Sequence, residues 1–320
     1  MNFFTKVSIK KSRNQISYNS KIVLMGSCFS ENIGQKFEYF KFRNSINHFG
    51  IIFNPISIEN LISRSLNEQF FTENDVFYHD ELWKCFEVHS DLNCDNKEQL
   101  INNLNVILID FKNEILNASH LIITYGTSWV YRNVASQKIV ANCHKAPQNQ
   151  FNKEILSVEI IEKSIQNTVD LIAKFNPKCN LIFTISPVRH IKDGFIENTQ
   201  SKSHLFAALN RILKNFSIPT SAVVEIFPSY EIMMDELRDY RFYAEDMLHP
   251  NKMAINYIWE RFSETYFDQE TTTILLEVDA IQKSLSHQPY NSKSKNHLKF
   301  LENLNSKINT LTKKQPTIHF

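Results

Sequence analysis

The chain alternates between short unbroken apolar runs and longer stretches whose apolar residues recur every three or four positions. The runs are residues 22–25 (IVLM), 120–126 (HLIITYG), 180–187 (NLIFTISP) and 221–228 (SAVVEIFP). They are short, and several are closed by glycine or proline, which predicts buried strands. The helical pattern covers residues 30–40, 56–66, 97–116, 153–175, 199–216 and 252–267. Ser30 is the expected N-cap of the first helix, and prolines 55 and 250 precede the second and the last. Residues 76–88, with Trp83 and Phe86, read as hairpin-forming strands.

Strands that are apolar at every position, separated by helices, predict a mainly parallel sheet covered on both faces. From about Thr271 the pattern gives two more helices, joined by the polar stretch HQPYNSKSKN. The expected division is a catalytic α/β domain over residues 1–268 and a helical appendage over 269–320. No internal repeat is present.

Composition narrows the classes. The 320 residues are 42% hydrophobic and 22% charged, with a net charge of +1. So balanced a charge gives no field for nucleic acid, and the short Lys10–Lys11 and Lys313–Lys314 pairs read as solvated surface. Five cysteines, an odd number without CxxC spacing, argue against a disulfide framework or a zinc ribbon. The start has no apolar h-region and no stretch approaches a membrane span. The expectation is a soluble, reduced, cytoplasmic protein that partners neither nucleic acid nor membrane.

In open parallel sheets, ligands sit at the carboxyl ends of the strands. There stand Gly26-Ser27-Cys28, Gly126-Thr127-Ser128 and Ser186-Pro187-Val188-Arg189-His190. Before the last core helix stands AEDMLHPN, with Asp246 and His249 three apart. Such a turn can set the carboxylate on one imidazole nitrogen and leave the other as a base, although Asp246 merely capping its loop fits the spacing as well. Cys28 falls at a strand-to-helix turn, where backbone N–H groups and the helix dipole would lower a thiol pKa and hold an oxyanion. The plainer alternative is a packed cysteine.

Taken together these features resemble the SGNH (GDSL-type) hydrolases, and more closely the GSCFA family, whose motif reads GSCFS here. The resemblance runs through NHFGIIFNP, YGTSWVY, VANCHKAPQNQF, TISPVRHIKDG and AEDMLHPN, over roughly residues 20–265. It implies a three-layer α/β/α flavodoxin-like fold. It also implies a Cys28–His249–Asp246 triad, with Ser27 where those enzymes carry an Asp. The oxyanion hole would be Cys28 and Gly50, with Ser128 standing where the pattern has an Asn.

The implied activity is an esterase or acyl hydrolase acting on an acylated small molecule or saccharide through a thioester. Acyl transfer to another acceptor, and a binding module that has lost catalysis, are the alternatives. Ser27, Thr127, His144, Arg189 and His190 are the expected substrate contacts, Arg189 for an anionic or polar group unless an acid such as Asp193 or Glu245 holds it. Trp83, His89, Trp129 and Tyr131 are candidates for a saccharide platform. Cys28, Cys143, His144, His190 and His249 come from separate loops without ligand spacing, so no metal and no cofactor is expected.

Overall fold

The computed structural model describes residues 5–215 and 222–320. In chain order the elements begin β1 (Lys21–Gly26), α1 (Cys28–Tyr39), β2 (Arg43–Ile46), α2 (Pro55–Leu66), and a hairpin of β3 (Phe77–His79) and β4 (Leu82–Lys84). Next come α3 (Lys97–Asn117), β5 (His120–Tyr125), β6 (Trp129–Asn133), β7 (Ile139–Val140), β8 (Phe151–Ile155), α4 (Val158–Phe175) and β9 (Asn180–Ile185). The rest is α5 (Phe195–Asn215), β10 (Val224–Phe227), α6 (Ser229–Glu231) running into a π-helical turn (Ile232–Leu237), α7 (Lys252–Tyr266), α8 (Gln269–Leu285) and α9 (Lys295–Lys314).

Five strands pair in parallel in the order β2-β1-β5-β9-β10. This is the doubly wound order of flavodoxin-like sheets, with the first βα unit at the point where the winding reverses. Each central strand is mostly apolar because both its faces are buried. Val23, Met25, Leu121 and Phe183 pack with Leu61, Leu104, Ile165 and Leu209 of α2–α5. Ile22, Leu24, Ile122 and Ile182 pack on the other side with Phe37, Ile258, Phe262 and Val278 of α1, α7 and α8. The result is a three-layer α/β/α fold.

The last two helices join this second layer. Ile274, Val278, Leu304 and Leu311 enter the same core cluster as Phe37 and Phe262. Gln282 donates to the Tyr39 carbonyl at 2.7 Å, and the Tyr39 hydroxyl donates to Asp279 at 3.0 Å.

Three local expectations change. Ser27, not Ser30, caps α1: its backbone is extended and its hydroxyl accepts from the Phe29 N–H. Ser30 instead donates from inside the helix to Thr124. Residues 153–155 are not helical but end β8, which pairs antiparallel with β6 in a separate three-stranded sheet, β7-β6-β8. Helix α4 starts afterwards, capped by Ser157. Helix α5 begins at Phe195, one turn before residue 199. The expected ends at Phe216 and Ser221 lie outside the described residues.

Candidate active site

Gly26 closes β1 with a φ of +139°, and a Cβ there would stand 2.2 Å from the Thr124 carbonyl oxygen of β5. Only glycine fits so close a backbone crossing. The Gly26 N–H donates to Asn47 Oδ1 at 2.9 Å, and the Ser27 N–H to the Thr124 carbonyl at 3.1 Å. These bonds fix the turn that delivers Cys28 as the first residue of α1. Among the described residues no protein oxygen accepts from the Cys28 N–H, one of the open donors at a helix start.

The electrostatics of the thiol differ from the expected lowering. Burial pushes the Cys28 pKa up and Glu31 adds to the rise. Lys202 and the N–H groups of Cys28 and Phe29 pull it back without reversing it. Desolvation outweighs the helix terminus, so the resting sulfur is a thiol and needs a base.

A base stands in the loop before α7. His249 Nδ1 donates to Asp246 Oδ2 at 2.5 Å, which leaves Nε2 as the free ring nitrogen. Asp246 Oδ1 accepts from the N–H groups of Leu248 and His249 at 2.9 and 3.0 Å. The same carboxylate therefore shapes the loop and orients the ring. These bonds hold the Asp246 pKa down to about 2, the backbone donors contributing most. Asn251, capping α7 through Met253 and Ala254, anchors the far end of the loop. The His249 side chain is 46% exposed, so its free nitrogen is open to a ligand. Among the described residues no hydrogen bond joins Cys28 to His249.

Lys202 was not singled out from the sequence. It is 2% exposed on α5 and its ammonium donates to the carbonyls of Gly126 at 2.7 Å and Ser186 at 2.8 Å, just past the ends of β5 and β9. No carboxylate pairs with it among the described residues. Its pKa is brought down to about 7, chiefly by burial, with Cys28 opposing the fall and Arg189 adding to it. The signal was present in the sequence: Lys202 shares the buried stripe of Asn198, Leu205, Leu209 and Ile212, at helical spacing.

His190 joins this cluster. Its pKa is lowered to about 3 by burial, with Lys202 and His249 adding, so the ring is neutral. Its Nε2 is buried and unpartnered, 3.3 Å from where a Cβ on Gly126 would stand. The Asn198 side chain accepts from the His190 N–H at 2.9 Å. Arg189 finds no acid, neither Asp193 nor Glu245, among the described residues; Asp193 pairs with Lys153.

Other expected contacts are placed elsewhere. The Gly50 N–H donates to the Asn47 carbonyl at 2.7 Å, and its φ of +75° with His89 packed against it explains the glycine. Ser128 is fully buried and its hydroxyl donates to the Ser201 carbonyl at 3.0 Å. Both donors expected for the oxyanion hole are thus engaged within the protein in this structure. Thr127 is likewise engaged with Ser201 at 2.8 Å, and the Ser27 hydroxyl is the α1 cap. His144 is a core residue bonded to the Cys85 carbonyl at 2.7 Å, beside the stacked rings of Phe77 and Phe86. Trp129 and Tyr131 on β6 share Lys153, while Trp83 on the β3–β4 hairpin makes no ring contact with either among the described residues.

No helix among the described residues is long and apolar enough to cross a membrane. No curated protein matches the chain. Among solved structures, an acetyl xylan esterase (Est2A) from the rumen bacterium Butyrivibrio proteoclasticus is similar at 10% identity with a TM-score of 0.42. The likeness covers 85% of this chain and 66% of that one, so the chain spans just under two thirds of the esterase's length. The model of the GSCFA domain protein C-terminal domain matches residues 278–320, and that of the GSCFA family matches residues 21–262. The longer match covers most of the chain and holds the Cys28 turn, Lys202 and the Asp246–His249 pair alike: the chain belongs to the GSCFA family.

Proposed function

We propose that the protein is an ester hydrolase of the SGNH type, with Cys28 in place of the serine. The observation that carries this reading is the Asp246–His249 pair, hydrogen-bonded on an ordered loop, in a sheet whose first strand delivers Cys28 at its carboxyl end. His249 Nε2 takes the thiol proton as the sulfur bonds to the ester carbonyl carbon. The tetrahedral intermediate collapses, the alcohol leaves with the proton from His249, and the acyl group stays on Cys28 as a thioester. Water, deprotonated by His249, then releases the carboxylic acid and the proton returns to the sulfur.

In this reading the Cys28 N–H is the backbone donor to the oxyanion. Lys202 acts as a positioning residue: its ammonium ties the two strand ends together and favours the thiolate. The substrate is an acylated small molecule or saccharide.

The second reading is a binding module of the same fold. It is favoured by the committed donors at Gly50 and Ser128 and by the lack of a Cys28–His249 hydrogen bond. An ester panel assayed on wild type beside Cys28→Ala separates the two. Turnover that vanishes in Cys28→Ala supports the hydrolase, and turnover that survives it contradicts the assignment. Absence of turnover and of any acyl adduct supports the module, and an acyl group passed only to an added alcohol or amine would make the enzyme a transferase.

A further inference from the structure

Beyond His249 the dyad loop borders a cavity of about 350 Å³, lined among others by Arg189, Phe195, Arg238, Tyr240, Tyr243 and Asp246. Its two carboxylates near the loop are taken: Asp246 by His249, and Asp239 by Arg241 at 2.9 Å. Its two guanidinium groups are not. Among the described residues neither Arg189 nor Arg238 has an ion-pair partner. Arg189 Nε is buried without an acceptor, its Nη1 meets only the Met234 sulfur at 3.7 Å, and its guanidinium lies over Phe195 at 5.9 Å.

A half-buried arginine that no carboxylate pairs with loses hydration, and the Phe195 ring returns only part of it. A planar, always-charged fork held by an aromatic ring suits a carboxylate or a phosphate, which it can bind bidentately. Arg238 closes the π-helical turn in a left-handed conformation (φ +42°), which sets its exposed side chain at the rim. The Arg189 N–H also donates to the Leu248 carbonyl at 3.3 Å, so the cavity wall and the dyad loop are tied together.

We propose that this cavity is a subsite for an anionic group, carboxylate or phosphate, carried by the molecule whose ester is presented to Cys28. The assignment of that molecule as an ester rests on the hydrolase reading; the binding of the anion does not. Arg189 is the principal ligand and Arg238 adds charge at the mouth. The substrate class narrows to anionic esters, such as half-esters of dicarboxylic acids or acylated sugar phosphates.

The test titrates glutarate, inorganic phosphate and neutral glutaramide into wild-type protein, Arg189→Gln and Arg238→Gln by calorimetry. Thermal unfolding confirms that each variant is folded, and Arg189→Lys serves as a charge-retaining control. In parallel, 4-nitrophenyl hemiglutarate and 4-nitrophenyl butyrate are compared as substrates.

The proposal expects one anion to bind wild type, about tenfold weaker or undetectable binding in Arg189→Gln, and partial retention in Arg189→Lys. Which anion binds distinguishes carboxylate from phosphate. It also expects a hemiglutarate-to-butyrate ratio of kcat/KM that collapses in Arg189→Gln if carboxylate is the group. Anion binding without turnover of either ester keeps the subsite and removes the hydrolase reading. Turnover of both esters alike, with no anion bound or with binding indifferent to Arg189, overturns the subsite and leaves the hydrolase standing. No binding and no turnover removes both.

Discussion

At the scale of single residues the chemistry turns on which charges surround Cys28. Its thiol is raised by burial, and Lys202 supplies the main side-chain charge that favours the thiolate. Replacing Lys202 by Met removes that pull, so the pH midpoint of Cys28 alkylation should move up. Iodoacetamide labelling followed across pH and read by peptide mass spectrometry checks this, and an unchanged midpoint would place Lys202 too far away to matter.

Asp246 gives a second prediction. Its pKa lies below the ordinary carboxylate value, so its stabilisation of the loop is fully present above about pH 4 and is lost as pH falls towards 2. Asp246→Asn keeps the shape and removes the charge that fixes the His249 tautomer. Turnover should fall by about three to four orders of magnitude, while protein NMR shows the rest of the fold unchanged. The place of Cys28 at the end of β1 and the pairing of Asp246 with His249 were legible, because a glycine closes the apolar run before Cys28 and the two loop residues stand three apart before a helix. Lys202 was not, because a single lysine inside a helix looks like surface until its position on the buried stripe is counted. Gly50 and Ser128 could not be judged from sequence at all: whether a donor is free depends on the acceptor that folding puts beside it.

At the scale of elements, the β-α alternation carried most of the fold. The central strands β1, β5 and β9 are apolar at nearly every position, and only burial on both faces produces that pattern. The β7-β6-β8 sheet was missed because β8 (FNKEI) mixes charges with few apolar residues and runs directly into an amphipathic helix, whose period absorbs it. The first helix was started late because Ser27 and Ser30 are both plausible caps, and the extended backbone at Ser27 decides between them.

A tight backbone joint between elements is Gly26, where β1 crosses the Thr124 carbonyl. Gly26→Ala forces a Cβ to within 2.2 Å of that oxygen at a φ of +139°. It should cost about 2–4 kcal/mol of stability, measurable as a lower urea midpoint, and it should displace Cys28 enough to reduce alkylation of the native protein.

At the scale of the whole molecule, the C-terminal helices are part of the α1/α7 layer rather than a tethered addition. Leu311, 1% exposed, packs in the same cluster as Phe37 and Phe262. Leu311→Ala should lower the unfolding free energy by about 2–4 kcal/mol, whereas Tyr290→Ala in the fully exposed link should leave it unchanged within about 0.5 kcal/mol. Urea denaturation of the two variants distinguishes a shared core from an independent tail. The sequence showed two amphipathic helices but not the surface they cover, because their apolar stripes match any apolar layer equally well.

The three scales meet in one claim: a thiol at the carboxyl end of the first strand, served by the Asp246–His249 pair, forms a covalent acyl intermediate. Intact-protein and peptide mass spectrometry after exposure to 4-nitrophenyl acetate tests it most directly. The account predicts an acetyl group on Cys28 that accumulates in Asp246→Asn and His249→Ala more slowly than in wild type and is absent from Cys28→Ala. An unmodified Cys28 in wild-type protein that nonetheless releases 4-nitrophenol, or an acyl group found on Ser27 instead, would contradict it.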